Sequence, residues 1–256
     1  MPGTWRTSSI SYRAADGSEL PLLVVEPDGL PPRAGIVLFH GGALRGGSPD
    51  GLGPHCRALA SRGIVAVSAG YRLLDRGAVS IDDCLADVRR AVARFGRLAA
   101  SRGLEASQLA SGGSSAGAHL AMLAALTPSG TAPESDVAAV VALNPAGLNL
   151  GVLAPDAQRR LERQVGVDAG RLVDYSLIEL VRPGSPPMQI HHGTRDDVEP
   201  IGAARQFRDA MVRAGNECAL LEYAHAEHGF HYPGSSRHFA GVIDATELFL
   251  DGTATP

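Results

Sequence analysis

Residues 108–126 read QLASGGSSAGAHLAMLAAL. Residues 108–112 have the character of a weak strand. Residues 116–126, rich in Ala, Leu and Met, have that of a helix stopped by Pro128. Between them, Gly112–Gly117 (GGSSAG) contains Gly-x-Ser-x-Gly centred on Ser115. A sharp strand-to-helix turn here thrusts the Ser115 hydroxyl outward, and side chains two residues to either side would collide. Gly113 and Gly117 remove those side chains, and the helix start favours negative charge beside Ser115. A plain Ser/Gly loop capping a helix uses similar residues. Ser114 is a rival centre, but its frame puts Ala116 where the second glycine belongs.

Working outward, the chain alternates short apolar runs with amphipathic stretches. Residues 20–26 (LPLLVVE), 35–39 (GIVLF), 64–69, 137–143, 188–192 and 219–223 read as strands. Residues 51–62, 81–100, 201–213 and 238–250 read as helices. The longest places Leu85, Val88, Val92, Phe95 and Ala99 at helical spacing. Continuous apolar strands between helices predict a parallel sheet covered on both faces. Residues 146–187 show helical fragments and no clear strand. They predict an excursion over the sheet's carboxyl edge, where ligands bind in such folds.

Three further motifs follow predicted strands. His40-Gly41-Gly42-Ala43 comes after residues 35–39. Glycines let backbone amides turn toward a substrate, so the N–H groups of Gly42 and Ala43, with that of Ala116, are candidate donors to a carbonyl oxygen gaining charge. His40 reads as a loop-orienting side chain. His192-Gly-Thr-Arg-Asp196-Asp197 offers two carboxylates, of which Asp196 is preferred and the other suits a helix cap. Glu227-His228-Gly-Phe offers an imidazole near neutrality, with His225 and His231 as competitors. Donor loop, Ser115, Asp196 and His228 occur in that order, each at a strand's carboxyl end. This is the chain order of one known Ser–Asp–His triad. Leu44, Arg45, Tyr71, Asn144 and Phe230 are candidate pocket-lining residues.

Composition excludes several classes. The chain has 256 residues, enough to bury a full core without staples, with 45% hydrophobic and 20% charged residues. Its net charge is −4 with no basic run, which removes the footprint of a nucleic-acid binder. All 23 basic residues are Arg, so a lysine Schiff base and a P-loop lysine are both impossible. Cys56, Cys84 and Cys218 form no metal or disulfide pattern, so a reducing, cytoplasmic setting is expected. No stretch has the length of a membrane span, and the N-terminus lacks a secretory apolar region.

The motifs HGGA, Tyr71-Arg72-Leu73, GGSSAG, SPPM with HHGTRDD, and EHGF together resemble the acetyl esterase/lipase-type branch of the α/β-hydrolase superfamily. That branch borders the hormone-sensitive-lipase-like carboxylesterases. The resemblance runs from about residue 20 to residue 250. It implies an α/β-hydrolase fold in one domain, residues 1–256. The sheet would have about eight mostly parallel strands with helices on both faces, and residues 146–187 would form a small cap. It implies Ser115 as nucleophile, Asp196 and His228 as its partners, and Gly42, Ala43 and Ala116 around the oxyanion. The expected activity is hydrolysis of short-acyl, acetyl-type esters through a shallow pocket. No cofactor or metal is expected, the partner is a small-molecule ester, and a homodimer is compatible. A biosynthetic lyase or cyclase, or an arylformamidase, would use the same site. Two departures from the hormone-sensitive-lipase-like pattern stand out: Ser114 replaces the Asp that usually precedes the nucleophile there, and Ala43 replaces a third glycine. Only 39 residues precede His40, fewer than the long N-terminal cap of the hormone-sensitive-lipase-like family.

Overall fold

Strands without a polar face must be covered on both sides, and they occupy the middle of the sheet. The computed structural model describes residues 3–29, 31–127, 137–234 and 237–253. In chain order the elements are β1 (Trp5–Arg13), β2 (Glu19–Pro27), β3 (Ala34–Phe39), α1 (Gly53–Ala60), β4 (Ile64–Ala69), β5 (Leu73–Leu74), β6 (Gly77–Ala78) and α2 (Ile81–Ala100). There follow β7 (Leu109–Ser114), α3 (Ala116–Leu126), β8 (Ala139–Leu143), α4 (Pro155–Val165), β9 (Met188–Gly193), α5 (Ile201–Arg213), β10 (Cys218–Tyr223) and α6 (Phe239–Thr253). Eight strands form one sheet in the order β1-β2-β4-β3-β7-β8-β9-β10, and β5 and β6 form a separate two-residue ladder. The six strands from β4 to β10 in that order run parallel, and the β1–β2 and β2–β4 pairs are antiparallel. This is the expected α/β-hydrolase architecture. The stop expected at Pro128 lies outside the described residues.

Strand β1 was not expected. Its sequence, WRTSSISYR, is polar on both faces, and only Tyr12 is buried. What makes it a strand is its nine-residue antiparallel pairing with β2, a tertiary contact that composition does not announce. Strand β7 runs two residues beyond the expected end, because Gly113 and Ser114 still pair with Ala142 and Leu143 of β8.

The core divides at the sheet. On one face α2, α3 and α5 pack with Phe95, Leu120, Met122 and Phe207, all fully buried. On the other, α1 and α6 pack through Leu52, Cys56, Leu59 and Val242. Helix α3 is buried nearly all round, as its uniformly apolar sequence requires. Arg72 and Asp87 form a buried ion pair. The guanidinium Nε lies 2.7 Å from Oδ2 and Nη2 lies 3.0 Å from Oδ1. Among the described residues no helix is long and apolar enough to cross a membrane.

Residues 146–187 contribute α4 and short 3-10 turns at Leu150–Val152, Leu172–Tyr175 and Leu177–Leu180. Leu148, Leu150, Leu172, Tyr175 and Leu177 sink into the core on the α2–α3 side. Polar contacts tie the segment down: His119 Nε2 lies 2.8 Å from the Tyr175 carbonyl, and the Tyr175 hydroxyl donates to Asp82 at 2.9 Å.

Several histidines are sealed in this interior. Burial lowers the pKa of His55 from 6.5 to about 4 and that of His191 to about 3, and it holds His231 well below 6.5. His191 is satisfied while neutral, with Nδ1 2.7 Å from the Tyr223 hydroxyl and Nε2 2.8 Å from Gln189 Oε1. Because these folded-state values are depressed, the unfolded chain binds protons that the folded chain does not as pH falls below 6.5. Stability is therefore expected to drop from pH 6.5 toward pH 4, by about 1.4 kcal/mol per histidine per pH unit. Denaturant titrations at pH 7 and pH 5 check this, and equal stabilities would contradict it.

Candidate active site

Ser115 stands alone between the end of β7 and the start of α3, at φ 52° and ψ −119°. A non-glycine residue there is strained by about 1–3 kcal/mol, and its surroundings must hold it. The Ser115 N–H donates to the Leu143 carbonyl at 3.0 Å, and the Ser115 carbonyl accepts from His119 N–H at 2.9 Å. A Cβ on Gly113 would lie 2.3 Å from the Phe39 carbonyl oxygen, and one on Gly117 would lie 2.1 Å from the same atom. The two glycines are required because the turn presses against the end of β3.

Asp196 follows β9 and His228 follows β10, and the two loops are clasped together. The Arg195 N–H donates to the Ala226 carbonyl at 2.9 Å, and Gly193 approaches so closely that a Cβ would lie 2.3 Å from that oxygen. His228 Nδ1 lies 2.7 Å from Asp196 Oδ2, and His228 Nε2 lies 2.9 Å from Ser115 Oγ. Asp196 Oδ1 accepts the N–H groups of Val198 and Glu199 at 2.9 and 3.0 Å. Burial alone would raise the Asp196 pKa, but the bonds from His228 and the Glu199 N–H hold it below the usual carboxylate range. The charged carboxylate therefore takes Nδ1–H and turns the Nε2 lone pair toward Ser115.

The rivals are placed elsewhere. Asp197 and His225 are exposed. Ser114 is buried, with Oγ 3.0 Å from Nε2 of the buried His231, whose Nδ1 lies 3.0 Å from His55 Nε2. This second Ser–His pair is sealed in the core and fastens the His228 loop to β7 and α1.

The HGGA loop passes beside Ser115: a Cβ on Gly41 would lie 3.2 Å from the Ser115 Cβ. Gly42, Ala43 and Leu44 have successive φ values of 125°, 53° and 62°. The loop closes on itself through Gly46 N–H to the Gly42 carbonyl at 2.9 Å. Among the described residues, the N–H groups of Gly42 and Ala43 make no hydrogen bond. Ala116 is the first residue of α3, so its N–H has no partner in the helix. His40 orients the loop. Its ring stacks on Tyr71 at 4.5 Å, and the Tyr71 hydroxyl donates to the His40 carbonyl at 2.8 Å.

Ser115, Ala43 and Ala116 open onto a cavity of about 530 Å³, walled by Leu44, Ile81, Leu150, Leu153, Leu161 and Val165. About half of the cavity's lining comes from residues 146–187. Those residues carry no motif, and only the segment's place as a strandless excursion over the sheet's carboxyl edge hinted at them. Of the expected pocket residues, Leu44 lies in the wall. The other four do not, and each has a physical reason. Arg45 is held by Asp75 and the Gln164 carbonyl. Tyr71 supports His40 from within the core. Phe230 is buried against Tyr223, with ring centroids 4.5 Å apart. Asn144 is fully buried and points Nδ2 at His228 Nε2, 3.1 Å away. Glu199, which no motif marked, joins two parts of the site: its carboxylate accepts the N–H groups of Gly147 and Leu148 at 3.0 and 3.3 Å.

Comparisons with known proteins point to one family. The BD-FAE family matches residues 27–148. LipM of Mycobacterium tuberculosis, described as a probable carboxylic ester hydrolase, is 30% identical over 233 residues, covering 84% of this chain and 53% of its own length. The esterase LipQ of the same organism is 30% identical over 278 residues, covering 98% of this chain and 64% of its own. The chain thus spans between about half and two thirds of the length of these curated relatives. Among solved structures, the propionate-bound form of esterase 2 from Thermogutta terrifontis has a TM-score of 0.84 at 33% identity, covering 96% of this chain and 94% of that one. The same protein phosphonylated by sarin has a TM-score of 0.85 at 31% identity, covering 98% and 96%. A match at about one residue in three, nearly end to end in both chains, reflects kinship as well as shared architecture, and the chain belongs to the carboxylesterase branch of the α/β-hydrolase superfamily.

Proposed function

We propose that this protein is a serine carboxylesterase acting on short-acyl esters, with Ser115 as nucleophile, His228 as base and Asp196 as the group that orients His228. The observation that carries this reading is the unbroken line from Ser115 Oγ through His228 to Asp196, at 2.9 and 2.7 Å, with Ser115 lining an apolar cavity. Ser115 attacks the ester carbonyl as its proton passes to His228 Nε2. The oxyanion forms beside the unpartnered N–H groups of Gly42, Ala43 and Ala116, each worth about 2.7–4 kcal/mol in kcat. Collapse expels the alcohol with the proton from Nε2, and water then releases the acid by the same route. Charge on Asp196 stabilises the imidazolium at both stages.

Residues 146–187 serve as a small cap, and the cavity they wall is larger than an acetyl group needs. We assign it to the bulkier half of the ester, with propionyl and butyryl groups within reach of the acyl site. Support comes from the Thermogutta esterase 2 structures with propionate and with butyrate bound.

A fluorophosphonate probe is expected to label the wild type and Ser114→Ala at Ser115, and to leave Ser115→Ala unlabelled. Steady-state hydrolysis by Ser115→Ala is expected to fall by about 10⁴–10⁶, whereas Ser114→Ala keeps the nucleophile and loses far less. An active Ser115→Ala with a dead Ser114→Ala would reverse the assignment.

Across p-nitrophenyl esters of rising acyl length, kcat/KM is expected to peak between C2 and C4. Each buried methylene adds at most about 0.8 kcal/mol, and only while there is room for it. Activity climbing without break to C10 would instead make the cavity an acyl tunnel.

A further inference from the structure

His228 Nε2 has one lone pair and two donors aimed at it. One is Ser115 Oγ at 2.9 Å and the other is Asn144 Nδ2 at 3.1 Å. Asn144 follows β8 with φ 39°, a conformation rare for a residue with a side chain, and its backbone N–H is fixed to the His191 carbonyl at 2.8 Å. The residue is fully buried, and its side-chain Oδ1 has no hydrogen-bond partner among the described residues. A buried amide that leaves its carbonyl unsatisfied in order to aim N–H at one imidazole nitrogen carries a cost that packing alone does not explain.

The two donors have different fates during turnover. When Ser115 Oγ is esterified it has lost its hydrogen and can no longer donate to Nε2. The Asn144 amide is untouched by the chemistry. Resting on the triad reading above, we propose that Asn144 is a positioning residue for deacylation, holding the neutral imidazole of His228 in plane while Ser115 carries the acyl group. Water then enters between Nε2 and the acyl carbon and takes the Nε2 lone pair over from the Asn144 N–H. Its oxygen bonds to that carbon as its proton passes to Nε2. The tetrahedral adduct collapses with cleavage of the bond to Ser115 Oγ, which takes the proton back from Nε2, and the carboxylic acid departs. In acylation the Ser115 hydroxyl itself holds Nε2, so Asn144 matters less there.

The test is stopped-flow hydrolysis of p-nitrophenyl acetate by the full chain, comparing wild type with Asn144→Gly. Glycine accepts φ 39° without strain and removes only the amide. We expect kcat to fall by about tenfold or more and KM to fall with it, so that kcat/KM, which reports acylation, changes by less than about threefold. A burst of p-nitrophenol close to one equivalent per active site should appear. Asn144→Asp, which keeps the shape and lacks the N–H donors, should show the same burst. It also supplies the answer if the glycine variant does not fold. Equal losses in kcat and kcat/KM without a burst would mean that Asn144 is merely structural and would overturn the proposal. A wild type inactive on every ester tested would overturn the esterase reading and this proposal with it. An active wild type with burst-free variants would overturn this proposal alone.

Discussion

The Phe39 carbonyl oxygen occupies the space where Cβ atoms on Gly113 and Gly117 would be, 2.3 and 2.1 Å away. Most of the site's geometry depends on that close approach. It lets β7 turn directly into α3 while still paired with β3 and β8, and it holds Ser115 at φ 52°. The next residue after Phe39 is His40, so the contact that shapes the elbow also fixes where the HGGA loop begins. Elbow and loop are therefore placed relative to one another by backbone packing at the end of β3. A side chain at either glycine would push them apart.

Exposure and partners separate the nine histidines into different jobs. His228 sits part-exposed between a charged carboxylate and a hydroxyl that opens on the cavity. His231, three residues later, meets an almost identical hydroxyl, that of Ser114, but in a sealed core where burial keeps it neutral. The two Ser–His pairs lie side by side at the same turn. The outer one opens on the cavity and the inner one holds it in place. Tyr71 and His40 do similar work for the HGGA loop, and Glu199 links the Asp196 loop to the start of the segment over the cavity.

That segment shows how a pocket can be assembled without a motif. Residues 146–187 bury enough leucine to join the main core, and their remaining apolar side chains wall the cavity beside Ser115. Leucine burial holds it there together with the bonds of Tyr175 and Glu199, so the cavity's shape depends on close packing as well as on those few polar contacts.

Local constraints were legible in the sequence wherever one backbone position admits few residue types. The elbow needs glycine at 113 and 117. The donor loop needs positive φ at Gly42. The buried strands need unbroken apolar runs, and the order Ser115, Asp196, His228 follows from strands that end at one edge. What depended on distant neighbours was not legible. Strand β1 has no apolar face and exists through its pairing with β2. Tyr71, Phe230 and Arg45 are of the right types to line a pocket, but the core and ion-pair partners claim them. The choice of Asp196 over Asp197 is made by burial and by two backbone N–H groups. Asn144 reaches His228 only because β8 ends beside the elbow. Short-range steric and conformational limits are written into neighbouring residues, whereas burial and hydrogen-bond partnership are properties of the folded chain, and those decided which of the candidate side chains face the site.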